Sequence, residues 1–241
     1  MASVPKKAHV ATSKTQQRHT KAKTQRIERD SRKRAILEAK NAIRQFDLAL
    51  QMIEQWNSGA IKFRLEPSHI LQLHKIALDG IDVFAGTFRN GPVKIGASKH
   101  VPPDAFQVGT LVADMCAYVN RSWRRKTPLH LCSFVMWRLN WIHPFTDGNG
   151  RTTRAIAYVV LCARLGYRLP GQTTVPELIA GNKKPYYDAL EQADRAEQNS
   201  RIDVSAMAKL LSDLLAKQLV DVHKQATDTK AKRSEVKKKF H

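Results

Sequence analysis

Residues 131–142 (LCSFVMWRLNWI) limit what this chain can fold into more than any other stretch, because Leu131, Phe134, Met136, Trp137, Leu139, Trp141 and Ile142 leave almost no polar side. A helix that is apolar all round has to be enclosed by other elements, so this one is expected at the centre of a bundle. Its neighbours are readable from their spacing. Ile36, Ala39, Ile43, Phe46, Leu50 and Ile53 recur three and four residues apart from Ala35 onward, and the pattern stops near Asn57. Pro67 suits the first turn of a second helix over residues 67–78, which carries Ile70, Leu71, Leu73 and Ile76. Val108, Val112, Met115, Cys116 and Val119 form another stripe. Residues 155–165 resume helical spacing and are closed by Gly166 and Pro170. Shorter helices are expected around residues 176–180 and 185–196, and a last amphipathic one on Val204, Met207, Leu211 and Leu214. The fold class is therefore all-α, with seven or eight helices. Helix is implausible across residues 84–103, which are rich in Gly, Pro and Asn, and two short β segments are expected there around residues 93–95 and 100–101.

Charge divides the chain further. The net charge is +20 over 241 residues, yet residues 1–34 hold 11 Lys/Arg against 2 acids and residues 223–241 hold 7 against 2. Neither end has the apolar side chains to offset the entropy of ordering. The expected organisation is a disordered basic arm over 1–34, a folded domain over 35–222 and a basic tail over 223–241. The basic ends allow weak, non-specific contact with nucleic acid, although no aromatic residue interleaves the arm's charges as a dedicated site would need. No apolar run approaches the roughly 20 residues of a membrane helix, and the N-terminus lacks the apolar centre of a secretory signal. A cytoplasmic location and no membrane partner are expected. Cys116, Cys132 and Cys162 show no metal-type or CxxC spacing and are expected as buried thiols.

The chemistry is concentrated where the central helix ends, in residues 143–154 (HPFTDGNGRTTR). Gly148 and Gly150 bracket Asn149, so the backbone can turn tightly and approach a ligand. The next helix starts there, and its first N–H groups together with the positive end of its dipole suit an anion such as phosphate. Arg151 and Arg154 lie three apart and can both lean over that helix end with bidentate guanidinium forks. Asp147 precedes the turn, placed to hold a hard cation such as Mg²⁺ against the same phosphates, and His143 can take a proton from an attacking hydroxyl. Each feature alone is commonly structural. Their concurrence in twelve residues points to transfer to or from a nucleotide phosphate.

This string resembles the signature of the Fic (Fic/Doc-like) family: His, Pro, Phe, any residue, an acid, then GNGR, two residues and Arg. The resemblance implies a Fic-type helical bundle with a small β-hairpin flap, and transfer of AMP from ATP, with Mg²⁺, to a Ser, Thr or Tyr hydroxyl of a protein target. By position it makes His143 the base, Asp147 the metal ligand, and Gly148, Asn149 and Gly150 the phosphate cradle. Arg151 and Arg154 would hold the outer phosphates, and Phe145 would anchor the loop. Residues 86–103 (GTFRNGPVKIGASKHVPP) are similar to the family's flap. Val93, Lys94 and Ile95 would align the target backbone by strand addition. Tyr187, beside Tyr186, matches the tyrosines that line the nucleotide, whereas Asp194 stands where relatives often have Asn.

Many Fic proteins also carry an inhibitory Glu on a neighbouring helix that pairs with the last arginine of the signature. Glu38 is the candidate here, with Glu28 second, although neither matches the full inhibitory pattern. Several readings stay open beside adenylyl transfer. They are another nucleotide or a phosphocholine donor, removal of AMP, a toxin held by a separate antitoxin, and a nucleotide- or nucleic-acid-binding protein without catalysis.

Overall fold

The computed structural model describes residues 20, 21, 24–96, 98–171 and 174–239. Among them are eight helices: α1 (Ser31–Asn57), α2 (Pro67–Leu78), α3 (Val108–Ser122), α4 (Pro128–Ile142), α5 (Asn149–Leu165), α6 (Val175–Gly181), α7 (Lys184–Glu197) and α8 (Ser205–Lys239). The fold is mainly α, and α4 is its centre. Thr127 starts this helix by accepting a hydrogen bond from the His130 N–H at 3.1 Å, with Pro128 at the first helical position. It packs against α3, α5, α7 and α8, while α5 lies on α1 and α2. Leu131, Met136, Trp137, Leu139 and Ile142 are fully buried, each stabilising the fold by about 1.5–3 kcal/mol. The three cysteines are buried free thiols, and burial pushes that of Cys116 up to about 12.

Four expectations need correction. The first concerns α1, which begins at Ser31 because the Asp30 carboxylate accepts from the Arg32 and Lys33 N–H groups at 2.8 and 2.9 Å. Only the C-terminal half of the expected stripe packs on the core, through Phe46, Leu50 and Ile53; Ile36 and Ile43 are 69% and 67% exposed, while Asn41 and Gln45 are buried. The polar pair faces inward because α2 presents backbone carbonyls there. Asn41 Nδ2 donates to the Asp79 carbonyl at 2.7 Å and Gln45 Nε2 to that of Leu73 at 3.0 Å.

The second is the expected hairpin. Strand β1 (Thr20–Lys21) pairs antiparallel with β2 (Lys94–Ile95), Thr20 opposite Ile95 and Lys21 opposite Lys94. His100 and Val101 lie outside any strand, and His100 Nε2 instead donates to the Trp141 carbonyl at 2.7 Å. Pro102 and Pro103 lack the N–H groups that a returning strand would need.

The third follows from the second, since part of the expected arm is structured. Beyond β1, the Val83 N–H donates to the Gln25 carbonyl and the Ile27 N–H to that of Ile81, both at 3.0 Å, around an antiparallel bridge between Arg26 and Asp82. Residues 1–19, 22 and 23 lie outside the described residues. The fourth is the basic tail, whose described part up to Lys239 continues α8. Ala, Lys, Gln and Glu are good helix formers, and no Gly or Pro interrupts them.

Candidate active site

His143 caps α4 in the left-handed region, with φ 51° and ψ 60°, where a residue other than glycine is strained by about 1–2 kcal/mol. Three contacts hold it there. Its N–H reaches the Leu139 carbonyl at 2.9 Å, its own carbonyl accepts from Arg89 Nε at 2.8 Å, and its ring Nδ1 faces the Asn140 carbonyl at 3.4 Å. A carbonyl opposite Nδ1 calls for a proton on that nitrogen, which leaves Nε2 as the acceptor. Nε2 lies 2.7 Å from the Thr20 hydroxyl, which donates to it.

The loop that follows is fixed from below. Phe145 is 1% exposed and stacks on His74 with ring centroids 3.7 Å apart, so it anchors the loop as expected. The Asn149 amide closes the turn from both sides, accepting from the Phe145 N–H at 3.0 Å and donating to its carbonyl at 2.7 Å. Gly148 adopts φ 73°, and a Cβ there would stand 2.6 Å from Leu78 Cδ2, so both the conformation and the space require glycine.

His74 supports the loop as well. Its Nδ1 accepts from the Gly86 N–H at 3.0 Å, so its Nε2 donates to the Asp147 carbonyl at 3.1 Å. Burial lowers its pKa from 6.5 to about 4. The ring stays neutral when folded, whereas the unfolded chain protonates it near pH 6.5. Its contribution to stability is therefore complete above about pH 6.5 and is lost as pH falls towards 4, at up to about 1.4 kcal/mol per pH unit. Urea midpoints measured between pH 7 and pH 5 should fall more in wild type than in His74→Gln. Equal slopes would remove His74 from this role.

Above the loop, α5 opens at Gly148, which offers no side-chain cap, so the first-turn N–H groups face the cavity without intrahelical acceptors. The Arg154 guanidinium folds across them, with Nη1 3.1 Å from where a Gly150 Cβ would stand. Burial lowers the Arg154 pKa, and Tyr186 and Tyr187 lie close enough to oppose that shift. Arg151 pairs with Asp147 at 3.5 Å and with Glu38 at 3.6 Å. His143, Asp147, Arg151, Arg154 and the start of α5 share a cavity of about 380 Å³ with Thr24, Trp141, Lys183 and Tyr187, a volume in the range of small-ligand pockets.

Residues 64–161 match the model of the Fic/DOC family. This stretch of the chain is similar to a Fic domain. Curated relatives include the protein adenylyltransferases Fic of Drosophila willistoni and Drosophila persimilis. Each is 29% identical over 191 residues, covering 78% of this chain and 34% of the relative. The chain thus spans about a third of the length of the curated relatives it matches. Among solved structures, a Fic family protein from Desulfovibrio desulfuricans G20 superposes with a TM-score of 0.59 at 20% identity, over 80% of this chain and 55% of that one. Fic-1 from C. elegans gives 0.59 at 21% identity, over 78% and 52%.

The residues that match the Fic signature, His143, Asp147, Gly148, Asn149, Gly150, Arg151 and Arg154, line one cavity, together with Ile95 of β2 and Tyr187 of α7. Two expectations from the resemblance are met differently. Glu38 pairs with Arg151, the first arginine of the signature, because it is one face of α1 that passes this end of α5. Glu28 is taken up at the start of α1, where it accepts from the Asp30 N–H at 2.8 Å. Asp194 keeps a hydrogen-bonding role despite replacing Asn, accepting from Trp137 Nε1 at 2.9 Å at the edge of the cavity.

Sequence reasoning passed over four residues that line or brace this cavity: Thr20, His74, Arg89 and Asn140. His74 looked like part of the apolar run of α2, and Thr20 lay in a segment whose composition resembles disorder. Arg89 does sit within the flap stretch, and a lone Arg between Phe and Asn-Gly was a signal that could have been followed.

Proposed function

We propose that this chain is a protein adenylyltransferase that moves AMP from ATP to a side-chain hydroxyl of a protein. The observation that carries this reading is a hydroxyl 2.7 Å from His143 Nε2, beside an uncapped helix start flanked by two arginines. The curated relatives are named for this activity. The acceptor oxygen attacks the α-phosphorus while Nε2 takes its proton. The bond from the α-phosphorus to the bridging oxygen breaks, and pyrophosphate leaves against Arg151, Arg154 and the α5 amides. Tyr187 and Asp194 flank the nucleoside end.

Mg²⁺ suits this donor set. It keeps most of its water and is bound through one or two carboxylates plus substrate phosphates, which matches Asp147 beside a phosphate cradle. Among the described residues no group of three His, Cys, Asp or Glu forms a metal cage, so the phosphates would complete the coordination. When bound, the ion would neutralise charge developing on the leaving group.

The target backbone would add to the edge of β2, with Val93 and Ile95 buried beneath it and Lys94 exposed. No helix among the described residues is long and apolar enough to cross a membrane. The test is a lysate incubated with purified chain and either α- or γ-labelled ATP, with other labelled nucleotides as controls. Label in protein from the α position alone supports AMP transfer. Label from γ, or from a different donor only, rejects it.

The Glu38 contact with Arg151 favours restraint from within the chain over a separate inhibitory protein. It is a modest restraint, because a pair with these exposures contributes about 0.2–1 kcal/mol. Glu38→Gly should therefore raise self-labelling by no more than about fivefold. No rise would remove Glu38 as an inhibitor.

A further inference from the structure

The chain fills its own acceptor position. Strand β1 lies on the β2 edge with Thr20 directly opposite Ile95, where the proposed function seats a target's backbone. The Thr20 hydroxyl donates to His143 Nε2 at 2.7 Å and accepts from Asn149 Nδ2 at 3.3 Å. It therefore touches both the imidazole and the phosphate loop. Thr24 and Arg26 line the same cavity, and the pairing of residues 25 and 27 with 83 and 81 fastens the segment further along. Two separate stretches of backbone pairing thus hold one hydroxyl against the proposed base.

Resting on the adenylyltransferase reading, we propose that Thr20 is a modification site, adenylylated by its own chain in cis, and that β1 competes with foreign targets until it is displaced. The Thr20 oxygen forms a new bond to the α-phosphorus of ATP, its proton passes to His143 Nε2, and the bond to the bridging oxygen breaks as pyrophosphate departs. Nothing beyond ATP is consumed. Holding the acceptor in the site makes the step unimolecular, which favours it strongly over encounter with a second molecule.

The experiment uses the full chain with α-labelled ATP and Mg²⁺, a dilution series of the chain, and a lysate added to parallel samples. Peptide mass spectrometry locates the adduct. Thr20→Ser keeps the hydroxyl, and Thr20→Val removes it while preserving side-chain shape and strand propensity. The expected result is an AMP adduct on Thr20 in wild type and on the serine of the first variant. It should form at a rate per molecule that does not change with dilution, and self-labelling should fall about tenfold or more in Thr20→Val. Lysate labelling by Thr20→Val should exceed wild type, because the competing hydroxyl is gone.

Three outcomes overturn the proposal while leaving the adenylyltransferase reading intact. They are a chain that labels lysate proteins but never itself, self-labelling that survives undiminished in Thr20→Val, and a Thr20 adduct whose rate per molecule rises with concentration. A chain that transfers AMP to nothing refutes both together.

Discussion

His143→Ala is expected to reduce transfer of label from α-labelled ATP to protein by about 10²–10⁴-fold, the usual contribution of a positioned general base. The effect should fall on chemistry rather than on nucleotide binding, because the proposed phosphate cradle is the start of α5 with Arg151 and Arg154, and the imidazole stands beside it in the same cavity. Alanine also tolerates the left-handed conformation at this position poorly, and some stability should go with it. His143→Asn separates the two effects. Asparagine adopts that conformation more readily but offers no nitrogen base, so it should melt close to wild type and still fail to transfer AMP. Transfer at the wild-type rate by His143→Asn would refute the assigned base, whatever the alanine variant did.

How much of this was legible in the sequence depended on whether a residue's partners were near it in the chain. The bounds of α2, the stop of α5 at Gly166 and the buried character of α4 follow from local spacing and capping, and those expectations hold. The loop over residues 143–154 was readable for the same reason, since all its groups fall within twelve residues. What failed was set by distant elements. Periodicity placed Ile36 and Ile43 on the inner face of α1, but the carbonyls of Leu73 and Asp79 draw Gln45 and Asn41 inward instead. Composition marked residues 20–34 as an arm, yet the exposed edge of β2 and the backbone of residues 81–83 supply hydrogen-bond partners that composition does not register. The expected hairpin erred in the same way, because the flap's partner strand comes from a segment more than seventy positions upstream.

Arg89 shows what such a distant partner does, and Arg89→Ala carries the largest expected loss of stability. Arg89 is 4% exposed, and the residue makes five carbonyl contacts. Nε holds His143 at 2.8 Å, Nη1 holds Gly91 at 3.0 Å, Nη2 reaches Ile142 at 3.3 Å and also Pro103, and the backbone N–H holds Pro144 at 2.9 Å. Burial pulls its pKa below the usual guanidinium range, with Asp104 opposing, so the charge is kept for what it binds. Two of those carbonyls, at Ile142 and His143, close α4 where no later helical N–H can reach them. Truncation would leave them buried without a donor, at about 1–3 kcal/mol each. Allowing water to reach Gly91 and Pro103 on the outer side, the total should be about 3–5 kcal/mol, seen as a melting temperature lower by about 10 °C. Arg89→Lys should fall between, since an ammonium on a flexible stem lacks the planar fork that spans these acceptors. Because the same side chain ties the flap to the carbonyl of the proposed base, AMP transfer should drop even at temperatures where Arg89→Ala is still folded, with KM for the protein acceptor rising as β2 loosens. A variant that melts with wild type would show these carbonyls to be satisfied without Arg89, and the coupling of flap to base would fall with it.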